Sequence, residues 1–145
     1  MGCTVRRTAT MPADARPAFR PGFRMAPTDA AVLIAGAVGA ALAARVELAF
    51  GVALLLPVAM FFVFCNVVRM VRRLELVWAF SYAAACVGRI QWGWPAWPWI
   101  VGGSLGLAMI LVVLQLRRVD YHGIAWQRVN PSLPAWWAEH VARSR

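Results

Sequence analysis

The sequence predicts an all-α integral membrane protein, with four transmembrane helices in a small bundle and three as the alternative. Three observations carry that class. Residues 48–68 form a run of 21 without a charged side chain, and residues 90–116 another of 27. Runs of that length carry a helix across a hydrocarbon core about 30 Å thick, at about 1.5 Å per residue. The chain of 145 residues is 61% hydrophobic and 14% charged, with a mean hydropathy of +0.62, more apolar than an ordinary water-facing domain. Its 15 basic residues are all arginine, give a net charge of +9, and fall in alternate segments of the chain.

Charge-free stretches delimit four spans at 29–44, 48–68, 74–90 and 96–116. The first and third are short: 15 uncharged residues lie between Asp29 and Arg45, and 13 between Glu75 and Arg89. Both cross a bilayer only if the flanking arginines snorkel to the interface, and the three-span alternative arises there. The resulting organisation is an Arg/Pro-rich arm over 1–28, a transmembrane bundle over 29–116 and an interfacial tail over 117–145.

The arginines favour four spans. Arg6, Arg7, Arg16, Arg20 and Arg24 precede the first span, and Arg69, Arg72 and Arg73 join the second to the third. Arg117, Arg118, Arg128, Arg143 and Arg145 follow the fourth, whereas only Arg45 and Arg89 fall in the other two connections. By the positive-inside rule both termini and the middle connection are cytoplasmic, and the expected location is the cell (inner) membrane. The net charge reads as an orientation device and as a contact with anionic lipid headgroups, worth about 1 kcal/mol per well-placed Arg. No nucleic-acid partner is expected, because no binding fold or aromatic platform accompanies the basic residues.

In the arm, Pro12, Pro17 and Pro21 forbid a continuous helix and the absence of periodicity predicts disorder. The first apolar run begins too far from the basic residues for a cleaved signal. Met1-Gly2-Cys3 is the start that acylated chains share, but Arg6 stands where the myristoylation pattern wants Ser or Thr, so an unmodified terminus is expected. Met25, just before the first span, is an alternative start of translation.

Within the first span Gly36 and Ala40 form a small-xxx-small pair, and in the fourth Gly102 and Gly106 form a GxxxG. Both spacings allow close helix approach, so the first and fourth helices are expected to pair, or the fourth to pair with its copy in a homo-oligomer or larger membrane complex. Pro57, near the middle of the second span, removes one backbone donor and predicts a kink. Such a kink is a hinge in a transporter and ordinary packing otherwise.

The most distinctive local pattern is the connection 65–76. Asn66, Arg69, Arg72 and Arg73 share one helical face, and no Gly or Pro marks a turn, so part of it is expected to be helical, with Asn66 the only cap candidate. The functional reading is an arginine cluster for a phosphate, an anionic lipid head or an acidic partner, with Glu75 holding Arg72; the plainer reading is a solvated positive-inside anchor. Between the third and fourth spans Trp92, Trp94, Trp97 and Trp99 fall within nine residues interrupted by Pro95 and Pro98. Indole rings favour the headgroup level, so these form an outer aromatic belt. In the tail, Pro134 suits the first turn of a short helix capped by Ser132 or started at Leu133, lying on the inner interface.

Catalytic constellations find no anchor. The histidines, His122 and His140, are both in the tail, so no pair of spans clamps a haem, and no metal or other cofactor is expected. Cys65 and Cys86 sit at opposite ends of their spans, too far apart for a disulfide. There is no C-x-x-C, G-x-S-x-G or P-loop, and Glu47 and Glu75 lie at span ends rather than in mid-membrane, unlike the carboxylate of a proton-coupled exporter. The expected protein is non-catalytic: an accessory, assembly or lipid-contacting component acting through helix packing. The alternative is a small transporter or channel subunit with Asn66, Arg69 and Arg73 at its inner mouth.

Overall fold

The computed structural model describes residues 21–23 and 25–143; the expectations for residues 1–20, including the disordered arm and the Met1-Gly2-Cys3 start, lie outside them. The described chain is all-helical: α1 (Pro27–Ala44), α2 (Leu48–Phe62, continued by a π-helical turn Val63–Val68), α3 (Arg72–Trp92), α4 (Trp97–Leu116), and two short tail helices, α5 (Trp126–Val129) and α6 (Leu133–Arg143). Among the described residues three helices, α1, α2 with its π turn, and α4, are long and apolar enough to cross a membrane. α3 matches them in length, but Arg72, Arg73, Glu75 and Arg89 occupy its two ends.

Helix ends follow local chemistry. α1 starts two residues before the expected position 29, because Asp29 lies inside the first turn rather than ahead of it. Pro27 takes the first helical position, where no N–H is needed, and the Asp29 carboxylate accepts the Ala26 N–H at 2.8 Å. α3 likewise runs two residues beyond the expected 74–90 at each end and stops at Gly93, whose left-handed φ of +72° a side chain would resist. α4 begins at Trp97 with Pro98 in its first turn, and α6 begins at Leu133 with Pro134 second.

The four long helices alternate in direction. α1 packs antiparallel on α2: a Cβ at Gly36 would meet the Val58 methyl groups at 2.7 Å, and one at Gly51 would meet Ala44 Cβ at 2.5 Å and the Ala40 carbonyl at 2.9 Å. Gly36 and Ala40 therefore serve the α1–α2 hairpin, and the expected pairing of the first helix with the fourth is corrected: the three-residue link 45–47 delivers α1's small face directly to its neighbour in sequence. α2 and α4 run parallel, since Phe50 meets Trp97 edge-on near their starts while Gln115, near the end of α4, reaches the end of α2. α3 returns between them.

The core lies where α2, α3 and α4 meet. Phe64 packs edge-on against Trp78, which stacks on Tyr82 at 5.3 Å, and α4 presents one buried face, Ile100, Ser104, Ala108, Leu111 and Gln115, at helical spacing. The polar atoms of this aromatic stack are satisfied internally. Trp78 Nε1 donates to the Ser104 carbonyl at 2.8 Å, and Tyr82 Oη donates to the Ala53 carbonyl at 2.8 Å. Ala53 is the residue whose carbonyl the N–H of position 57 would have taken; Pro57 has none, so Tyr82 fills the vacancy. α2 continues through Pro57 on that substitute bond.

Candidate anion site at the arginine end

The connection from α2 to α3 is helical on either side of a turn at 69–71, in keeping with the expectation that part of it is helical. Arg69 takes a left-handed conformation (φ +53°, ψ +54°), uncommon for a residue with a Cβ, and ends the π turn. The missing Gly is replaced by tertiary bonds. The Met70 N–H donates to the Phe64 carbonyl at 2.7 Å, Gln115 Nε2 donates to the Arg69 carbonyl at 3.3 Å, and Gln115 Oε1 accepts the Val71 N–H at 3.5 Å. Gln115 is 1% exposed and acts as a clamp across the turn. The expectations that Asn66 caps this segment and that 66, 69, 72 and 73 share one face are corrected together. Asn66 is buried inside the π turn, Val71 is the cap residue of α3, and the break at Arg69 rotates α3 relative to α2.

The break also gathers side chains that one helical face would have spread out. Cys65, Arg69, Met70, Val71, Arg72, Glu75 and His122 line one open cavity of about 370 Å³. Of the five residues expected to form the cluster, Arg69, Arg72 and Glu75 meet here; Asn66 is buried behind them, and Arg73 is exposed outside the lining. Glu75 is bonded by Cys65, whose Sγ donates to Oε1 at 3.6 Å, and not by Arg72 as expected.

His122 reaches the cavity because the tail folds back onto the bundle, whereas the sequence predicted a segment lying on the interface. The Ile124 N–H donates to the Val67 carbonyl at 2.8 Å, so the tail takes up one of the carbonyls that the end of α2 leaves without a helical partner. Gly123 makes this approach feasible through space rather than φ: a Cβ there would lie 2.5 Å from the Val68 carbonyl oxygen and 2.6 Å from Tyr121 Oη. Tyr121 and Leu133 are fully buried, Tyr121 Oη donates to the Ile124 carbonyl at 2.8 Å, and Asn130 Nδ2 donates to the carbonyls of Val119 and Tyr121. The Gly22 N–H donates to the His122 carbonyl at 2.8 Å, so the segment before α1 meets the same place. Beside it, Arg118 donates twice to the Asp120 carboxylate at 2.9 and 3.0 Å; these bonds hold the Asp120 carboxyl below and the Arg118 guanidinium above their ordinary pKa values.

At the opposite end, Trp92, Trp94 and Trp99 are each at least 75% exposed and Trp97 is half-buried against Phe50. Gly102, Gly103 and Gly106 have nothing within 4 Å of a Cβ built on them among the described residues, so the GxxxG of α4 meets no described neighbour. Among the described residues no group of three or more His, Cys, Asp or Glu is arranged to hold a metal ion.

Sequence reading missed Gln115 and His122. The signal for Gln115 was available: it is a lone amide in an apolar run, at the spacing of Ser104, Ala108 and Leu111. His122 carried none, because only the docked tail brings it to Arg69. Comparison with known protein families, with curated proteins and with solved structures finds no match to this chain.

Proposed function

We propose that this chain is a four-span membrane protein without a catalytic site, an accessory or assembly component that works through helix packing and grips anionic lipid headgroups at its cytoplasmic, arginine-rich end. The observation that supports it most is the cavity lined by Arg69, Arg72, Glu75 and His122, placed at one end of three apolar helices. Such a helix end meets the headgroup layer, where guanidinium groups pair with phosphate.

The parallel course of α2 and α4 supports α3 as the fourth span. If both apolar helices cross, α3, tied to them by the short links 69–71 and 93–96, must cross back. Its charges lie at its ends, and Ser81 Oγ, Trp78 Nε1 and Tyr82 Oη all donate to backbone carbonyls, as a lipid environment requires. Its 21 residues span roughly 32 Å. The arginine end then faces the cytoplasm, the tryptophan end the outer interface, and the open glycine face of α4 is available to a second copy or a larger complex.

The test is lipid retention by the purified full-length chain in a neutral detergent, read by native mass spectrometry. Wild-type protein retains anionic over zwitterionic lipid, and the R69Q/R72Q double variant loses about 30-fold in that preference if each guanidinium contributes about 1 kcal/mol. Equal retention of both lipid classes by the wild type contradicts the proposal. A transporter reading gains instead if single cysteines at Asn66 and Arg69 react with water-soluble reagents from both sides of the membrane.

A further inference from the structure

We infer that the groove between α3 and α4 binds a neutral, planar, membrane-soluble carbonyl compound of the isoprenoid-quinone type, with the Ser104 hydroxyl donating to a ring carbonyl. This site lies toward the tryptophan end. It rests on the reading of α3 and α4 as spans, and not on headgroup binding at the arginine end.

Small side chains make the bed of the groove. Ser81 and Ala85 from α3 and Gly103 and Ser104 from α4 line it, with Trp94 and Trp99 toward the tryptophan end, and it encloses about 480 Å³. That volume suits a small molecule, for which pockets run about 300–1,000 Å³. A Cβ at Gly103 would meet nothing within 4 Å, so a flat ring can lie close to the α4 backbone there. None of the residues lining the groove is charged, so its occupant is neutral.

Ser104 supplies the selective contact. It is only 8% exposed, and its carbonyl accepts Trp78 Nε1 at 2.8 Å, yet its hydroxyl bonds no described residue. Ser81, across the groove, behaves differently: its hydroxyl donates to the Val77 carbonyl one turn back, at 2.8 Å. An O–H left unmet at membrane depth is costly, so a ligand acceptor placed there is favoured.

Depth then separates the acceptors on offer. Ser104 lies five residues beyond Trp99, about 7.5 Å further along the helix, and indole rings favour the headgroup level. Phospholipid ester carbonyls stay at the headgroup boundary with the indoles, and the acyl chains below them carry nothing that accepts a hydrogen bond. A quinone ring has no charged headgroup to hold it at the surface, so its carbonyl can reach Ser104.

The experiment is native mass spectrometry of the full-length chain in a neutral detergent, comparing decylubiquinone with dodecylbenzene, which has a ring and chain but no carbonyl, at equal mole fractions in the micelle. The wild type is expected to bind one quinone about fivefold more tightly than dodecylbenzene, the ratio one hydrogen bond supplies. S104A, which keeps the backbone carbonyl that holds Trp78, is expected to erase that preference, and G103L, whose side chain enters the groove, to abolish binding of both. Equal binding of the two probes by the wild type overturns the inference, as does a quinone preference that S104A leaves unchanged. Displacement of the quinone by equimolar dioleoylphosphatidylcholine makes the occupant an ordinary phospholipid and overturns it too. So does a dimer that G103L dissociates and that binds no quinone, since the groove then belongs to a second copy. All of these variants leave the arginine end intact, so failure here leaves the headgroup reading standing, and the R69Q/R72Q variant tests that reading without touching the groove.

Discussion

The two ends of the bundle are built by opposite rules. At the arginine end every connection is drawn inward by polar bonds: Gln115 clamps the α2–α3 turn, Ile124 takes the Val67 carbonyl, and Tyr121, Leu133 and Phe64 are sealed beneath. At the tryptophan end the α3–α4 connection puts Trp92, Trp94 and Trp99 outward, each at least 75% exposed, with Arg89 donating to the Gly93 carbonyl at its edge. One end is shaped by the chain's own hydrogen bonds, and the other leaves three indole rings exposed. Mutations should therefore affect stability strongly at the first end and weakly at the second.

The sharpest way to break the comparison is Gly123→Val. Its branched side chain cannot fit against the Val68 carbonyl and Tyr121 Oη, so the tail should undock and expose Tyr121, at a cost of about 2–4 kcal/mol. A lowered melting temperature in detergent and faster proteolysis after Leu116 would report it; a wild-type melting curve would show that the tail does not hold the end of α2. Next comes Gln115→Leu, which leaves the Arg69 carbonyl and Val71 N–H without their clamp and should cost about 1–3 kcal/mol. Its counterpart at the far end, Trp94→Ala, should stay within about 0.5 kcal/mol, because the ring is exposed. Equal losses from the two changes would erase the distinction.

Tyr82→Phe should cost about 1 kcal/mol by orphaning the Ala53 carbonyl, and much less in a Pro57→Ala background, where the restored N–H can take that carbonyl. Additive costs would mean that the tyrosine is not serving the proline. The smallest effect concerns pH. Asp120 has a lowered carboxyl pKa from its bonds to Arg118, so its contribution is present above the unfolded carboxylate pKa and is lost as pH falls through the lower folded value. With the Arg118 side chain 44% exposed, water screens the pair and Asp120→Asn should remove no more than about 0.5 kcal/mol at neutral pH.

Some helix ends were legible: α2 with its π turn fills the stretch 48–68, and Pro134 sits in the first turn of α6 as its chemistry requires, whereas charge misplaced the start of α1 and both ends of α3 by two residues. What stayed hidden depends on long-range partners. A left-handed Arg69 has no local signature, because its conformation is held by Gln115, 46 residues away. The small residues of α1 announce a close neighbour without naming it, and α2 rather than α4 fills that place. Of the anion site, the arginines were visible in sequence and the cavity was not: the turn that gathers Arg69, Arg72 and Glu75 and the tail that adds His122 are both tertiary effects.

The claim that supports all the others is that α3 crosses the membrane and separates an inner arginine end from an outer tryptophan end. It is tested most directly by labelling intact cells with a membrane-impermeant thiol reagent, on a cysteine-less background carrying Glu47→Cys, Arg72→Cys, Trp94→Cys or Val119→Cys. Positions 47 and 94 should label from outside, and 72 and 119 only after permeabilisation. Labelling of 72 and 94 from the same side would contradict the account, since α3 would then not cross and Arg69, Arg72 and His122 would have no fixed relation to the inner headgroups.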